Sequence, residues 1–329
     1  MQARIPRRTF LAAAIGAPFM APGLRAAEAA WPQRPIRVVM GFPGGSQTEA
    51  FARAYGEYVT QQTGQPWYLD FKPGMNGGVG AAELKRAAPD GHTLLFTITT
   101  TLIQNRVLYR SLPYDPDKDL SVVAFMPGGN LTLSVSTTRT GATNLREFVD
   151  HVRKSPKPAV GTFGPGTHPH ILFHELNRQY GLDMNIVHYK GSAQMLMDLG
   201  AGIIDAGITN HLSTMPFVQK GVARAIATIP GRSPVLPGVA SLADQGATSP
   251  AVRIAGYQCC LAPGGTPPEV VERISTLFQE AGRTEKMRTL LATFGADQPA
   301  YSAEESRRRY AAEMPMWLAL IKELALTPE

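Results

Sequence analysis

From residue 35 onward the chain alternates between short apolar runs and segments whose apolar residues recur every three or four positions. Ile36, Val38, Val39 and Met40 read as a buried strand. A tight turn with Gly41, Pro43, Gly44 and Gly45 follows. Ser46, Thr48 and Glu49 then open an amphipathic helix with Phe51, Tyr55 and Val59 at i, i+4 and i+8. It ends near Gly64, a good left-handed cap. Residues 67–71 form a short strand, 72–78 a second glycine turn leading into a helix through Ala88, and 93–98 a strand running into Thr99, Thr100 and Thr101. A strand is expected around 122–125, and 131–136 alternates apolar and polar as a strand does. Asn144 and Glu147 form a capping box for a helix carrying Phe148, Val149 and Val152.

The same grammar continues in the second half. Strands are expected at 159–163, 185–189, 203–208 and 222–229, with helices at 168–180 and 193–199. Gly164, Pro165, Gly166 and Thr167 make a third glycine turn, and Lys190, Gly191 and Ser192 another. A long strand-like run over 253–261 leads to Thr266 and Pro267, an N-cap and N1 pair, and the remainder is helical in pattern. Repeated strand–turn–helix units imply parallel sheets with helices on both faces, which bind ligands at the carboxyl ends of strands. The glycine turns after residues 40, 163 and 189 lie there. Two α/β units and a helical tail predict two facing lobes, with crossings near 131–135 and 257–261. Lobe one is expected to hold 30–131 and 257–329, and lobe two 132–256. The first turn alone is ambiguous. A strand, glycine turn and helix N-terminus can aim backbone N–H groups at an anion, but no Gly-Lys-Ser/Thr follows, and a plain βα connection would look the same.

Composition narrows the class. The chain has 329 residues, 44% hydrophobic and 18% charged, enough for a sizeable core in two domains. Of its formal charge of +6, four arginines against Glu28 place +3 in the first 29 residues, leaving +3 for the rest. That is too mild a balance for nucleic acid. Arg307, Arg308 and Arg309 sit in a helical pattern and read as a solvated face. The first 29 residues read as a targeting segment. Arg7-Arg8-Thr9-Phe10-Leu11 matches the twin-arginine pattern, a short apolar run follows, and Ala27-Glu28-Ala29 is a small-x-small cleavage site. The expected mature protein begins near Ala30 and is soluble and periplasmic. Cys259 and Cys260 are adjacent, a spacing that suits two small buried hydrophobes better than a redox pair.

Several segments together resemble the periplasmic receptors of the tripartite tricarboxylate transporter family, the Bug-type receptors. In the first half they are Trp31-Pro32-x-Arg34-Pro35-Ile36-Arg37, Phe42-Pro43-Gly44-Gly45-x-x-Thr48, Lys72-Pro73-Gly74-x-x-Gly77-Gly78, Pro89-Asp90-Gly91-x-Thr93-Leu94-Leu95 and Leu112-Pro113-Tyr114-Asp115-Pro116-x-Lys118-Asp119. In the second half they are Gly164-x-Gly166-Thr167-x-x-His170, Tyr189-Lys190-Gly191-Ser192 and Leu261-Ala262-Pro263-x-Gly265-Thr266-Pro267. They occur in the family's order over almost the whole mature chain. The resemblance implies an α/β, two-lobed type II periplasmic binding protein fold: Rossmann-like lobes joined by two crossing strands, with a helical C-terminal segment. It implies no enzyme activity, no cofactor, a small organic acid as ligand, a monomer, and an inner-membrane tripartite tricarboxylate-type permease or a sensor as partner. The chain departs from the family at Ser46-Gln47 and Glu49, at Tyr257-Gln258-Cys259, and at Phe163, Pro165, His168 and Pro169, so its pocket wall differs.

A buried carboxylate needs its lone pairs satisfied, and glycine turns at helix N-termini supply donors. The expected ligand set is Phe42, Gly45, Ser46, Thr99 and Thr100 from lobe one. Lobe two contributes Gly166, Thr167, His170, Gly191 and Ser192, with Asp205, Thr209 and Asn210 at a strand end facing the same cleft. Asp205 also has a structural reading, as a loop-orienting carboxylate. Two rival functions stand beside this one. His168, His170 and His174, with His188, could bind zinc, since His170 and His174 are i, i+4 on a helix. Ser192 with a histidine and Asp205 could be drawn as a hydrolase triad, although no G-x-S-x-G elbow exists. Trp31 and Trp317 read as lobe packing, and Lys190 as either an anion-steering or a solvated side chain.

Overall fold

The computed structural model describes residues 31–328; the targeting segment expected over residues 1–29 lies outside them. The first half runs β1 (Ile36–Met40), α1 (Gln47–Thr63), β2 (Trp67–Phe71), α2 (Gly78–Lys85), β3 (Thr93–Ile98), the one-turn helices α3 (Thr99–Leu102) and α4 (Asn105–Leu108), and β4 (Leu120–Pro127). The second half runs β5 (Leu131–Ser136), α5 (Leu145–Lys154), β6 (Ala159–Thr162), α6 (His168–Tyr180), β7 (Asn185–His188), α7 (Ser192–Gly200), β8 (Ala206–Asn210), α8 (His211–Gln219) and β9 (Ala223–Ile229). The chain returns through β10 (Tyr257–Pro263) and closes with α9 (Pro268–Gly282), α10 (Glu285–Thr293) and α11 (Ala303–Glu323).

These strands form two five-stranded sheets, ordered β2-β1-β3-β10-β4 and β7-β6-β8-β5-β9. Within each, four strands run in one direction and one inserted strand runs against them: β10 between β3 and β4, and β5 between β8 and β9. The polypeptide passes between sheets in the short segments that lead into those two strands, at residues 128–130 and 254–256. Because β10 and β5 run antiparallel to their neighbours, their first residues lie level with the carboxyl ends of β3 and β8. Both crossings therefore sit at the ligand-binding edge of the sheets.

Helix α1 forms because its apolar residues fall on one face and its first turn is capped. The Ser46 hydroxyl accepts the Glu49 amide at 3.3 Å, and the Glu49 carboxylate reaches back to the Gly45 amide at 2.7 Å. Its inner face packs on α9, with the Tyr55 and Phe278 rings stacked at 4.6 Å. Fully burying a side chain such as Phe51 stabilises the fold by about 1.5–3 kcal/mol. Gly56 lets α1 lie directly on Trp67, whose indole would collide with any Cβ there. Cys259 and Cys260 are free and fully buried on β10, and burial pushes both thiols up from their ordinary range. Three element bounds differ from expectation by three residues or more: α2 ends at Lys85 and not at Ala88, the run at 253–261 is broken by a 3₁₀ turn at Pro250–Arg253 before β10 begins, and β8 starts at Ala206, after Asp205.

Candidate functional site

Between the two sheets lies a cleft of about 340 Å³. Helices α1, α7 and α8 open onto it with their first turns, and His168, the first residue of α6, also lines it. Each begins there because a turn follows the carboxyl end of a strand, so first-turn N–H groups without helical partners face the ligand edge. From the turn into α1 and its first residues come Phe42, Gly45, Ser46, Gln47 and Thr48; from the turn into α7 and its first residues, Lys190, Gly191, Ser192, Ala193 and Gln194; and from the end of β8 and the first turn of α8, Thr209, Asn210 and Ser213. The Ser192 and Thr209 hydroxyls bond each other at 2.7 Å, joining the α7 and α8 N-termini. The Asn210 side chain caps α8 by accepting the Ser213 amide at 2.9 Å. Thr99 and Thr100, at the start of α3, complete the polar wall of lobe one.

The floor is the pair of crossings. Gly128, Gly129 and Leu131 line it from one, and Ala255, Gly256, Tyr257 and Gln258 from the other. A polar chain ties this floor to the α1 turn. Thr48 donates to Gln258 Oε1 at 2.6 Å, Gln258 Nε2 donates to Gln47 Oε1 at 3.4 Å, and Gln47 Nε2 donates to the Gly128 carbonyl at 2.6 Å. The Tyr257 hydroxyl donates to Glu313 of α11 at 2.7 Å, and burial pushes that phenol up and the Glu313 carboxyl above its ordinary range. Apolar surface comes from Phe42, Ile98, Phe163, Ile229 and Trp317. His168 lies beside Trp317, ring centroids 5.1 Å apart and perpendicular. Its Nε2 donates to the Ala251 carbonyl at 2.7 Å, and burial pushes its pKa down to about 4, so it is neutral near pH 7.

Of the thirteen residues expected from the sequence, the cleft gathers nine: Phe42, Gly45, Ser46, Thr99, Thr100, Gly191, Ser192, Thr209 and Asn210. Four lie elsewhere. Gly166 and Thr167 belong to a turn pressed against lobe one: Asn76 Nδ2 donates to the Pro165 carbonyl at 2.9 Å, and Leu108 and Ile321 crowd Gly166. His170 faces inward, its Nδ1 accepting the Gly166 amide at 2.9 Å and its ring 4.4 Å from that of His188; burial pushes it down to about 3. Asp205 precedes β8, at the amino end of a strand parallel to β6 and so opposite the cleft edge. There it is fully buried against Arg139, His151 and the Ala159 amide. Burial alone would raise its pKa, but those three partners hold it below the ordinary carboxylate value.

The rival chemistries have no assembled site among the described residues. No group of three or more His, Cys, Asp or Glu is arranged to hold a metal ion; His168 and His170 each already use one ring nitrogen on backbone. Ser192 pairs with Thr209, and Asp205 serves Arg139 and His151, so the sketched triad is not formed. Sequence reasoning missed Gln47, Thr48, Gln104, Gln258 and Trp317 as lining residues. The one signal for Gln47 and Gln258 was that both depart from the family pattern. Nothing local marks Gln104 or Trp317, which reach the cleft through α4 and α11 packing.

A family model described as the tripartite tricarboxylate transporter family receptor matches residues 51–326. Protein BugT of Bordetella pertussis is 27% identical over 320 residues, covering 96% of this chain and 97% of that one. Among solved structures, Rpa4515 of R. palustris with adipate superposes with a TM-score of 0.85 at 26% identity, covering 91% of this chain and all of the other. MatC of Rhodopseudomonas palustris with bound malate gives 0.78 at 25%, covering 88% and 100%.

Proposed function

The chain belongs to the tripartite tricarboxylate transporter receptor family, a family of periplasmic solute-binding receptors and not of enzymes, and from that we propose that it captures a small organic carboxylate in the interlobe cleft. Lobe one (residues 30–131 and 257–329) and lobe two (132–256) close on the ligand and present it to an inner-membrane permease of the tripartite tricarboxylate type, or to a sensor. Adipate and malate in two relatives support an acid as ligand. The observation that carries the reading is the convergence of the α1, α7 and α8 N-termini on one cleft with no acidic side chain in its described lining. The α7 and α8 termini, with no acidic residue in their first turns, each favour an anion by about 0.3–1 kcal/mol, and the α1 turn adds polar groups. The hydroxyls of Ser46, Ser192, Thr99, Thr100 and Thr209, with the Asn210 amide, add neutral hydrogen-bond partners that lower the several kcal/mol cost of burying a carboxylate.

A thermal-shift screen of organic acids at near-neutral pH tests this. At 100-fold excess over Kd the cognate acid raises stability by about 2.7 kcal/mol, a melting shift of a few degrees for a chain this size. Gln194→Pro, which blocks the α7 first turn, abolishes the shift. A screen in which zinc raises the melting temperature and no acid does so favours the metal reading instead. Export through the twin-arginine route belongs to the same proposal: replacing Arg7 and Arg8 together with lysine retains the unprocessed chain in the cytoplasm, as fractionation and blotting would reveal.

A further inference from the structure

The cleft has polar groups at both jaws but an available charge at only one. Lys190 is the one charged side chain among the described lining residues; it is exposed and has no ion-pair partner among them. It adjoins the N-terminus of α7, whose first turn holds no acidic residue. The opposite jaw differs. The first turn of α1 carries Glu49, whose carboxylate accepts the Gly45 amide at 2.7 Å and pairs with Arg53 at 2.6 Å. Burial would raise the Glu49 pKa, yet the Gly45 amide and Arg53 outweigh it and hold the group ionised. The positive end of the α1 dipole thus already holds a carboxylate belonging to the chain.

The rest of that wall is uncharged. Thr48, Gln258 and Gln47 are linked through neutral hydrogen bonds. Gln104, 1% exposed and lining the cleft, has an Oε1 with no hydrogen-bond partner. An unpaired buried amide oxygen invites a donor and opposes a second carboxylate.

Resting on the receptor reading, we infer that the cleft selects acids with a single negative charge: the carboxylate at Lys190 and the α7 N-terminus, an apolar body against Phe42, Phe163 and Trp317, and an uncharged amide or hydroxyl at Gln47, Thr48, Gln104 and Gln258. A second carboxylate at the lobe-one wall finds no cation among the described lining residues there and an α1 N-terminus whose Gly45 amide is already taken by Glu49, which disfavours the diacid about tenfold in affinity.

Matched ligands test the inference. Calorimetric titration of the mature chain at pH 7 compares succinate, glutarate and adipate each with its own half-amide. The half-amide of the best-fitting length binds about tenfold or more tightly than its diacid. Glu49→Gln, which keeps an acceptor for the Gly45 amide, narrows that gap, and Lys190→Met weakens the half-amide. A diacid that equals or beats its half-amide overturns the single-charge inference while leaving the receptor reading intact. An unchanged gap in Glu49→Gln removes Glu49 as its cause. Failure of every diacid, half-amide and other organic acid to bind overturns the receptor reading itself.

Discussion

Asp205 is fully buried, with the Ala159 amide at 2.8 Å, His151 Nε2 at 2.9 Å and the Arg139 guanidinium at 3.2 and 3.3 Å. It ties the β5–α5 region to the start of β6. Asp205→Asn is expected to cost about 3 kcal/mol in urea unfolding, because breaking one side of a buried ion pair strands its partners. Ligand affinity of the folded fraction stays unchanged, since the residue lies at the far end of the sheet. Buried histidines set a pH dependence. Burial lowers His168 and His211 to about 4, and His211 is locked between the Thr132 and Ser233 hydroxyls. Their folded pKa lies below the ordinary value of 6.5, so the stability of the neutral form is fully present above that value. It is lost as pH falls toward 4. For His168 the loss at pH 5 is on the order of 2 kcal/mol. A urea midpoint that stays level between pH 7 and pH 5 would contradict this.

At the scale of elements, the turn before α6 and the helix α11 carry the difference between expectation and structure. The glycines of residues 164–167 were legible as a turn after a strand, and a turn is what they form. They serve the contact between lobes: Gly166 has φ +65°, and an added Cβ would lie 2.6 Å from Leu108 and 2.9 Å from Ile321. Gly166→Ala should therefore destabilise the protein by about 1–3 kcal/mol, read as a lower urea midpoint. Trp317 was read as packing, and it is 1% exposed, but the same indole also walls the cleft. Trp317→Ala is expected to cost about 3–5 kcal/mol and to loosen ligand binding as well, whereas a substitution confined to packing would change only the first. Most element types and their order were legible because strand and helix periods and capping residues are local; α8, which follows β8 directly and carries Pro216 inside it, was not expected. The faces these elements share were not, because helix α11 begins only at Ala303, far along the chain from the end of β10 at Pro263.

For the whole molecule, the chain passes between the two sheets at residues 128–130 and 254–256, so the proposed closure needs backbone change at few positions. Ligand binding is expected to slow amide hydrogen exchange at both crossings and at the Asn76–Pro165 contact, measured by mass spectrometry with and without the acid; exchange that slows only at the α7 turn would argue against closure of the lobes. Two α/β units, the helical tail and a cleft at the carboxyl edge of the strands followed from the sequence alone. Periodicity, glycine turns and caps are properties of neighbouring residues, and strand–turn–helix order dictates which end of a strand its turn occupies. Which turns meet was decided by tertiary structure. The sheet orders and the inserted antiparallel strands bring the α1, α7 and α8 starts together over the crossings, and β8 begins one residue after Asp205, which sends that carboxylate to the opposite edge. Such placements depend on pairings between strands far apart in the chain, and no local pattern encodes them.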